Sequence, residues 1–263
     1  MESKKVTKKF LSSYTPCYLF EGTESTLFHD EKHILKFIKK EFLKDDRELV
    51  IKRLEELSHP SLAKPEFLLH DNTGFLGYGM NYYKDYESLN SLITNTMFYP
   101  NEKLPFNERK VLALKLCQLF DYINGTDYSF YDIHDKNLLT NKELDLKLID
   151  LDSGVFKDTI NGKINYHTSY IHSSKQLALF ALSFLYNTLF NEFEIAFAHP
   201  FSSLQEGKKE MLDYLPNDLK KFYEFALGRE YYAFNGISEC IDKIDEAIYN
   251  DTLQILQKRL WIT

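Results

Sequence analysis

Cysteine is nearly absent: Cys17, Cys117 and Cys240 are odd in number and far apart. Neither a disulfide framework nor a metal-binding pair follows from that spacing, and reduced thiols in an intracellular, cytoplasmic protein are expected. Glycine (10) and proline (7) are sparse in 263 residues, so no linker, repeat or low-complexity tract marks a boundary. Long hydrophobic runs are missing as well. The basic start MESKKVTKKF is not followed by the apolar stretch of a secretory signal. The most apolar segment, LALFALSFLYNTLF at 177–190, carries Ser183, Asn187 and Thr188 and is too short to cross a bilayer. It reads as a buried helix, and no membrane span is expected. Positive charge is in deficit, with a net charge of -7. That balance does not suit general binding to a phosphate backbone, so nucleic acid is not an expected partner.

What is present supports a sizeable core: 44% of residues are hydrophobic and 15% aromatic. Residues 17–40 read as two strands around the turn HDEKH, with Gly22 in an earlier turn. Residues 45–57 read as a helix, with Asp45 and Asp46 at its start and Val50, Leu54 and Leu57 on one stripe, stopped by SHP. PEFLLHDNTGFLGYGMNYY at 65–83 reads as a hairpin whose loop is HDNTG. After residue 100 the texture turns helical. NERKVLALKLCQLFDYI at 107–123 places Val111, Leu112, Leu114, Leu116, Leu119 and Phe120 on a broad apolar face, and Gly125 follows it. Leu144, Leu146 and Leu148 alternate with Asp145 and Lys147, which is a strand period. The expected class is α+β, with strands and one helix first and helices with a small hairpin after.

Chemistry concentrates in YDIHDKNLL at 131–139 and KLIDLDSG at 147–154. Asp132 and Asn137 lie five residues apart on one loop. Asp150 follows a strand that would return beside that loop through TNKEL, so Asn137 and Asp150 could share one hard cation. Phosphoryl transfer needs such a set: a carboxylate to orient the attacking hydroxyl, oxygen ligands for Mg²⁺, and a cation for the phosphates.

In this order the motifs resemble those of the protein-kinase-like fold. DIHDKN resembles the catalytic loop, IDLDSG the D-F-G segment, and HILKF at 33–37 the lysine-bearing strand. FEGTESTLF at 20–28 resembles a degenerate Gly-rich loop, and GYGMNYYKDYESLNSLI at 77–93 the segment joining the lobes. The resemblance covers roughly residues 18–190. It implies a bilobal fold with a β-rich N-lobe over about 1–80, a hinge at about 81–85 and a helical C-lobe from about 86 to 263. It implies ATP and Mg²⁺ as cofactors and a protein Ser/Thr hydroxyl as acceptor. Asp132 would be catalytic with His134 beside it, and Asn137 and Asp150 would hold the metal. Lys36 would pair with the α/β phosphates, Gly22 would lie over them, and the backbone of Asn81 and Tyr83 would meet adenine next to Met80.

The sequence departs from that pattern in several places. Phe130 and Tyr131 stand where the loop histidine and arginine would be, which argues against an arginine that reads a phosphorylated activation loop. His134 gives D-x-H-x-x-N, familiar in aminoglycoside- and choline-kinase-like enzymes and also in some bacterial protein kinases. Thr23, Glu24 and Ser25 replace the loop glycines, and a glutamate there repels phosphate unless it points away. Asp152 replaces the D-F-G glycine and reads either as a second metal ligand or as an exposed carboxylate. Val50 occupies the place of the helix glutamate that would pair with Lys36. Glu48 lies two residues off, about 200° round the helix, so no ion pair is assigned. Each residue also has a plain structural reading: Asp132 as a loop cap, Asn137 as a turn residue, Asp150 in a salt bridge, Lys36 snorkelling from a strand. A small-molecule kinase and a nucleotide-binding pseudokinase are the alternatives to a protein kinase.

Overall fold

A computed structural model describes residues 1–17, 24–43, 46–93, 104–130, 132–157, 166–187, 209–210, 212–226 and 236–260. In chain order its elements are β1 (Glu2–Lys5), α1 (Lys8–Leu11), β2 (Thr15–Pro16), β3 (Ser25–His29), β4 (His33–Ile38), α2 (Arg47–Arg53), β5 (Pro65–His70), β6 (Phe75–Asn81), β7 (Glu87–Ser88), α3 (Leu89–Leu92), α4 (Phe106–Asn124), β8 (Tyr128–Ser129), β9 (Leu138–Thr140), β10 (Leu146–Leu148), β11 (Val155–Phe156), α5 (Tyr166–Leu185), α6 (Asn217–Ala226), α7 (Ile237–Lys243) and α8 (Glu246–Leu260). The class is mixed α+β, sheet-rich towards the N-terminus and helical towards the C-terminus. Two compact units divide the chain. The first comprises Met1–Tyr86, Thr126–Asp132 and Lys147–Gly162; the second comprises Glu87–Gly125, Ile133–Leu146 and Lys163–Thr263.

The first unit is built on a six-stranded sheet ordered β1-β5-β6-β4-β3-β2, in which β1 runs parallel to β5 and the other neighbours are antiparallel. Turn chemistry fixes its hairpins. Between β3 and β4, the Asp30 carboxylate accepts the N–H groups of Lys32 (2.7 Å) and His33 (2.6 Å). Between β5 and β6, Asp71 accepts from Thr73 N–H at 2.7 Å, and Gly74 takes φ +132°, a value that side chains resist. Alternation along the strands makes two apolar faces. Ile38, Leu68, Tyr78 and Met80 pack with Ile51 of α2 on one, while Leu35, Phe67 and Leu69 pack with Phe10, Leu11 and Phe28 on the other. Helix α2 lies within the expected 45–57 and continues as a 3₁₀ turn over Leu54–Glu56. Val50, Leu54 and Leu57 are buried as the stripe requires, and Asp45 lies outside the described residues.

The second unit is mostly helical. Helix α4 starts after Pro105 and ends at Gly125, and Leu112, Leu116, Leu119 and Phe120 are buried. Val111 departs from the expected face: at 40% exposure it points to solvent, on the edge of a stripe narrower than the run of aliphatics. Phe106 stacks on Tyr249 of α8 at 4.9 Å, and Tyr186 and Tyr223 share a hydrogen bond of 2.8 Å. Helix α5 buries residues 177–185 as expected and stops at Leu185, where Asn187 at φ 55° supplies a left-handed cap. Residues 188–190 lie outside the described residues. No helix among the described residues is long and apolar enough to cross a membrane.

The region after residue 125 holds more strands than the single hairpin expected. β7 pairs with β9 and β8 with β11, both antiparallel. Leu144 is not in a strand. It takes φ 57° in a turn where the Asn141 side chain accepts the N–H groups of Glu143 (3.1 Å) and Asp145 (2.9 Å). Strand structure begins at Leu146, and Leu146 and Leu148 are fully buried.

Candidate functional site

Strand alternation decides where Lys36 points. Ile34 and Ile38, its neighbours two residues away, belong to the face covered by α2, so Lys36 enters the same layer. It is 6% exposed, and a buried ammonium needs partners. Its Nζ donates to the Asp150 carboxylate and to Oδ1 of Asp152 at 2.8 Å. On the neighbouring strand Gly77, opposite Phe37, takes φ +152°, and a Cβ there would lie 1.9 Å from the Lys36 carbonyl oxygen. Only glycine lets β6 pass so close to the strand that carries the lysine.

Both carboxylates sit on one tight turn. Leu148 is anchored first: its N–H donates to Ser61 O (2.7 Å) and its carbonyl accepts from Ala63 N–H (3.0 Å). The chain then turns through Asp150 at φ 64°, ψ 32°, a left-handed conformation that aspartate tolerates better than most side chains. Leu151–Ser153 form a single 3₁₀ turn closed by Ser153 N–H to Asp150 O at 3.1 Å. The Tyr128 hydroxyl donates to the Leu151 carbonyl, and a Cβ on Gly154 would lie 2.3 Å from that hydroxyl oxygen. Glycine at 154 therefore admits the tyrosine that pins the turn.

Asp152 is not the exposed carboxylate its position allowed. Its side chain is 0% exposed, and three elements donate to it. Besides Lys36, Arg47 Nη2 of α2 donates to Oδ2 at 2.7 Å, and the Tyr78 hydroxyl of β6 donates to Oδ1 at 2.6 Å. Burial alone would raise its carboxyl, but Lys36 and then Arg47 hold it below the ordinary carboxylate range. Burial opposes the charge on Lys36 too, and Asp152 followed by Asp150 more than restores it. Arg47 donates onward from Nη1 to Glu24 at 3.2 Å, so this glutamate does turn aside onto a cation. The buried Nε of Arg47 has no hydrogen-bond partner among the described residues.

Of the expected site residues, the first unit brings Lys36 and Asp150 together. Asp150 keeps 39% of its side chain exposed. Asp132 belongs to the same unit and is exposed. Asn81 ends β6 and is exposed, Met80 is buried, and Tyr83 is half-buried with its ring 5.1 Å from that of Tyr86. Asn137 and His134 belong to the second unit. Asn137 is buried and donates its N–H to the His134 carbonyl at 3.0 Å, while His134 Nδ1 accepts from Lys136 N–H at 3.1 Å. Gly22 lies outside the described residues. Among the described residues, no group of three or more His, Cys, Asp or Glu side chains could hold a metal by itself.

Glu48 does not reach the lysine. It bonds Lys52 at 2.7 Å and His70 at 3.2 Å. Arg47 and Asp135 were the residues the sequence did not single out. Asp135 is buried, accepts from the Asn90 side chain and accepts the Asn90 N–H at its carbonyl (3.1 Å), tying the 132–137 loop to α3. Only its place inside a D-x-x-D run could have drawn notice. The chain matches no protein-family model and no curated protein.

Proposed function

We propose that the chain is an ATP- and Mg²⁺-dependent phosphotransferase of protein-kinase-like fold, acting on protein Ser/Thr hydroxyls. The meeting of Lys36 and Asp150 carries this reading. A lysine that neutralises nucleotide phosphates and a carboxylate that holds the bridging cation have to converge on one point. These two, 114 residues apart in sequence, do so.

The donor set suits the group it would receive. Mg²⁺ takes one or two carboxylates together with phosphate oxygens and water rather than an all-protein cage. A partly exposed Asp150 beside a buried ammonium offers that chemistry. Mg²⁺ would supply charge neutralisation at the phosphates, and ATP the transferred phosphoryl group. Lys36 would bind the α/β phosphates, and Asp150 would hold the cation. Asp132 would orient the acceptor hydroxyl and take up its proton. Asn137 as second metal ligand, Gly22 over the phosphates, Asn81 and Tyr83 at adenine, and His134 near the transferred group follow from the resemblance.

A second reading is a nucleotide-binding module without turnover. It draws on Glu48, whose bonds to Lys52 and His70 leave the lysine without a helix carboxylate. Incubation with labelled ATP, Mg²⁺ and a cell lysate, beside an Asp132→Asn variant, separates the readings. Labelled protein bands that vanish in the variant support the protein kinase. ATP binding without transfer to any protein or small molecule supports the module. Label on a small molecule replaces the protein acceptor with a metabolite, and no ATP binding by the wild type ends both readings.

A further inference from the structure

Helix α2 offers the lysine layer a cation where a carboxylate is needed, and the missing carboxylate arrives from the other side. Lys36, Asp152, Arg47 and Glu24 form a chain of alternating charge, with contacts of 2.8, 2.7 and 3.2 Å. The two carboxylates on Lys36 differ in kind. Asp150 is partly exposed, accepts from Lys36 among the described residues, and is the residue that would turn to a metal. Asp152 is fully enclosed and fixed by donors from β4, α2 and β6. A lysine on a flexible four-carbon stem needs a fixed anchor to present its charge at one point. Asp152 is the partner that can stay when Asp150 is engaged elsewhere.

We infer that Asp152 is the positioning residue for Lys36, and that Arg47 sets the placement of Asp152, so that helix α2 acts on the lysine through an arginine. Resting on the phosphotransferase reading, this gives the site a charge-inverted clamp: the helix contributes the cation and the metal-side turn the anion. Geometry supports the direction of control. Arg47 is the first residue of α2, and its guanidinium spans both Asp152 and Glu24. A shift of the helix therefore moves the carboxylate that holds Lys36.

The first measurement needs no nucleotide. Lys36 acylation by a water-soluble amine reagent is followed by peptide mass spectrometry in wild type, Asp152→Asn, Arg47→Met, Arg47→Lys and the double variant R47M/D152N. Ile51→Val, a milder change on the same helix, controls for lost stability. Release of Lys36 is expected to raise its labelling about tenfold or more in Asp152→Asn, with Arg47→Met intermediate and Arg47→Lys close to wild type. The double variant should label no faster than Asp152→Asn, because Arg47 acts through Asp152. It also keeps the test open if the single variant fails to fold, since it removes both charges. Unchanged Lys36 labelling in whichever of Asp152→Asn and the double variant folds overturns the inference, as does equal labelling in Ile51→Val. The second measurement is MgATP titration. Asp152→Asn should weaken binding about tenfold with a smaller fall in the transfer rate. Wild-type affinity in a folded Asp152→Asn overturns the positioning role, whereas a wild type that binds no MgATP refutes the functional reading and leaves the labelling result to judge the clamp.

Discussion

Arg47 and Asp152, 105 residues apart in sequence, meet at 2.7 Å with the carboxylate wholly out of solvent. Such a pair is expensive to break from one side. Asp152→Asn leaves Lys36 and Arg47 facing a neutral amide, and a loss of about 3–5 kcal/mol in folding free energy is expected. Removing both charges in R47M/D152N should cost less than the two single losses added together. Urea titrations of the four proteins check this.

The two left-handed glycines of the β5–β6 hairpin should differ sharply. Gly74→Ala meets no atom within 4 Å and carries only backbone strain, about 1 kcal/mol. Gly77→Ala adds a collision with the Lys36 carbonyl and should cost about 3 kcal/mol or more. Their melting temperatures test the contrast. If the proposed nucleotide site is right, loss of nucleotide binding should accompany Gly77→Ala alone.

Thiol reactivity should separate the three cysteines. Burial, then Asp121, pushes the Cys117 thiol up to about 12, and burial pushes Cys240 up to about 11. Cys17 is only partly buried and its thiol is raised by that burial. In the folded chain a disulfide reagent at about pH 8 should modify one thiol readily, Cys17, and the other two at least about a hundredfold more slowly. Urea should release all three.

Alkali should weaken the second unit. Burial pushes Tyr186 up to about 12, and burial and then Tyr186 push Tyr223 well above its usual value. Both stay protonated in the fold while an unfolded tyrosine, near 10, loses its proton. The folded state then holds more protons than the unfolded one. Stability is therefore intact below about pH 10 and falls as pH rises towards about 12, by about 1.4 kcal/mol per pH unit for each tyrosine. Urea titrations at about pH 9 and 11, with tyrosinate absorbance as the probe, measure it.

On the proposed phosphotransferase reading, nucleotide binding should depend steeply on the metal. Three carboxylates (Glu24, Asp150, Asp152) face two cations (Lys36, Arg47), leaving one negative charge in excess at the cluster. A bare triphosphate is repelled by that balance, so chelation of Mg²⁺ should weaken ATP binding at least about tenfold. Calorimetric titration with and without chelator gives the ratio.

Periodic segments were legible without coordinates. The strands at 25–38, the 65–81 hairpin, the α2 stripe and the buried run 177–185 each repeat a burial pattern several times over, which is what makes them readable. Single-position outcomes were not. Val111 sits within an aliphatic run, yet the helix turns it outward; Leu144 keeps the period of a strand, yet Asn141 captures the backbone around it. Lys36 and Asp150 could be paired by motif order. The link from α2 to Lys36 could not be read, because an arginine at the start of a helix does not announce the carboxylate 105 residues away through which it reaches the lysine. Asp152 gains its burial from tertiary neighbours on β4, α2 and β6 that no local spacing announces.

Arg109 has a consequence for how the second unit comes apart. Wholly buried, it donates from Nη1 to the Leu104 carbonyl (2.6 Å) just before α4 and from Nε to the Leu185 carbonyl (3.0 Å) at the last residue of α5. One planar fork thus ties the segment that leads into one helix to the last carbonyls of another. Fraying, which usually begins at termini independently, is coupled here. Amide protons at the two ends should exchange with solvent through one shared opening, and a lysine at 109, a point charge without the fork that spans both carbonyls, should let them exchange at separate rates.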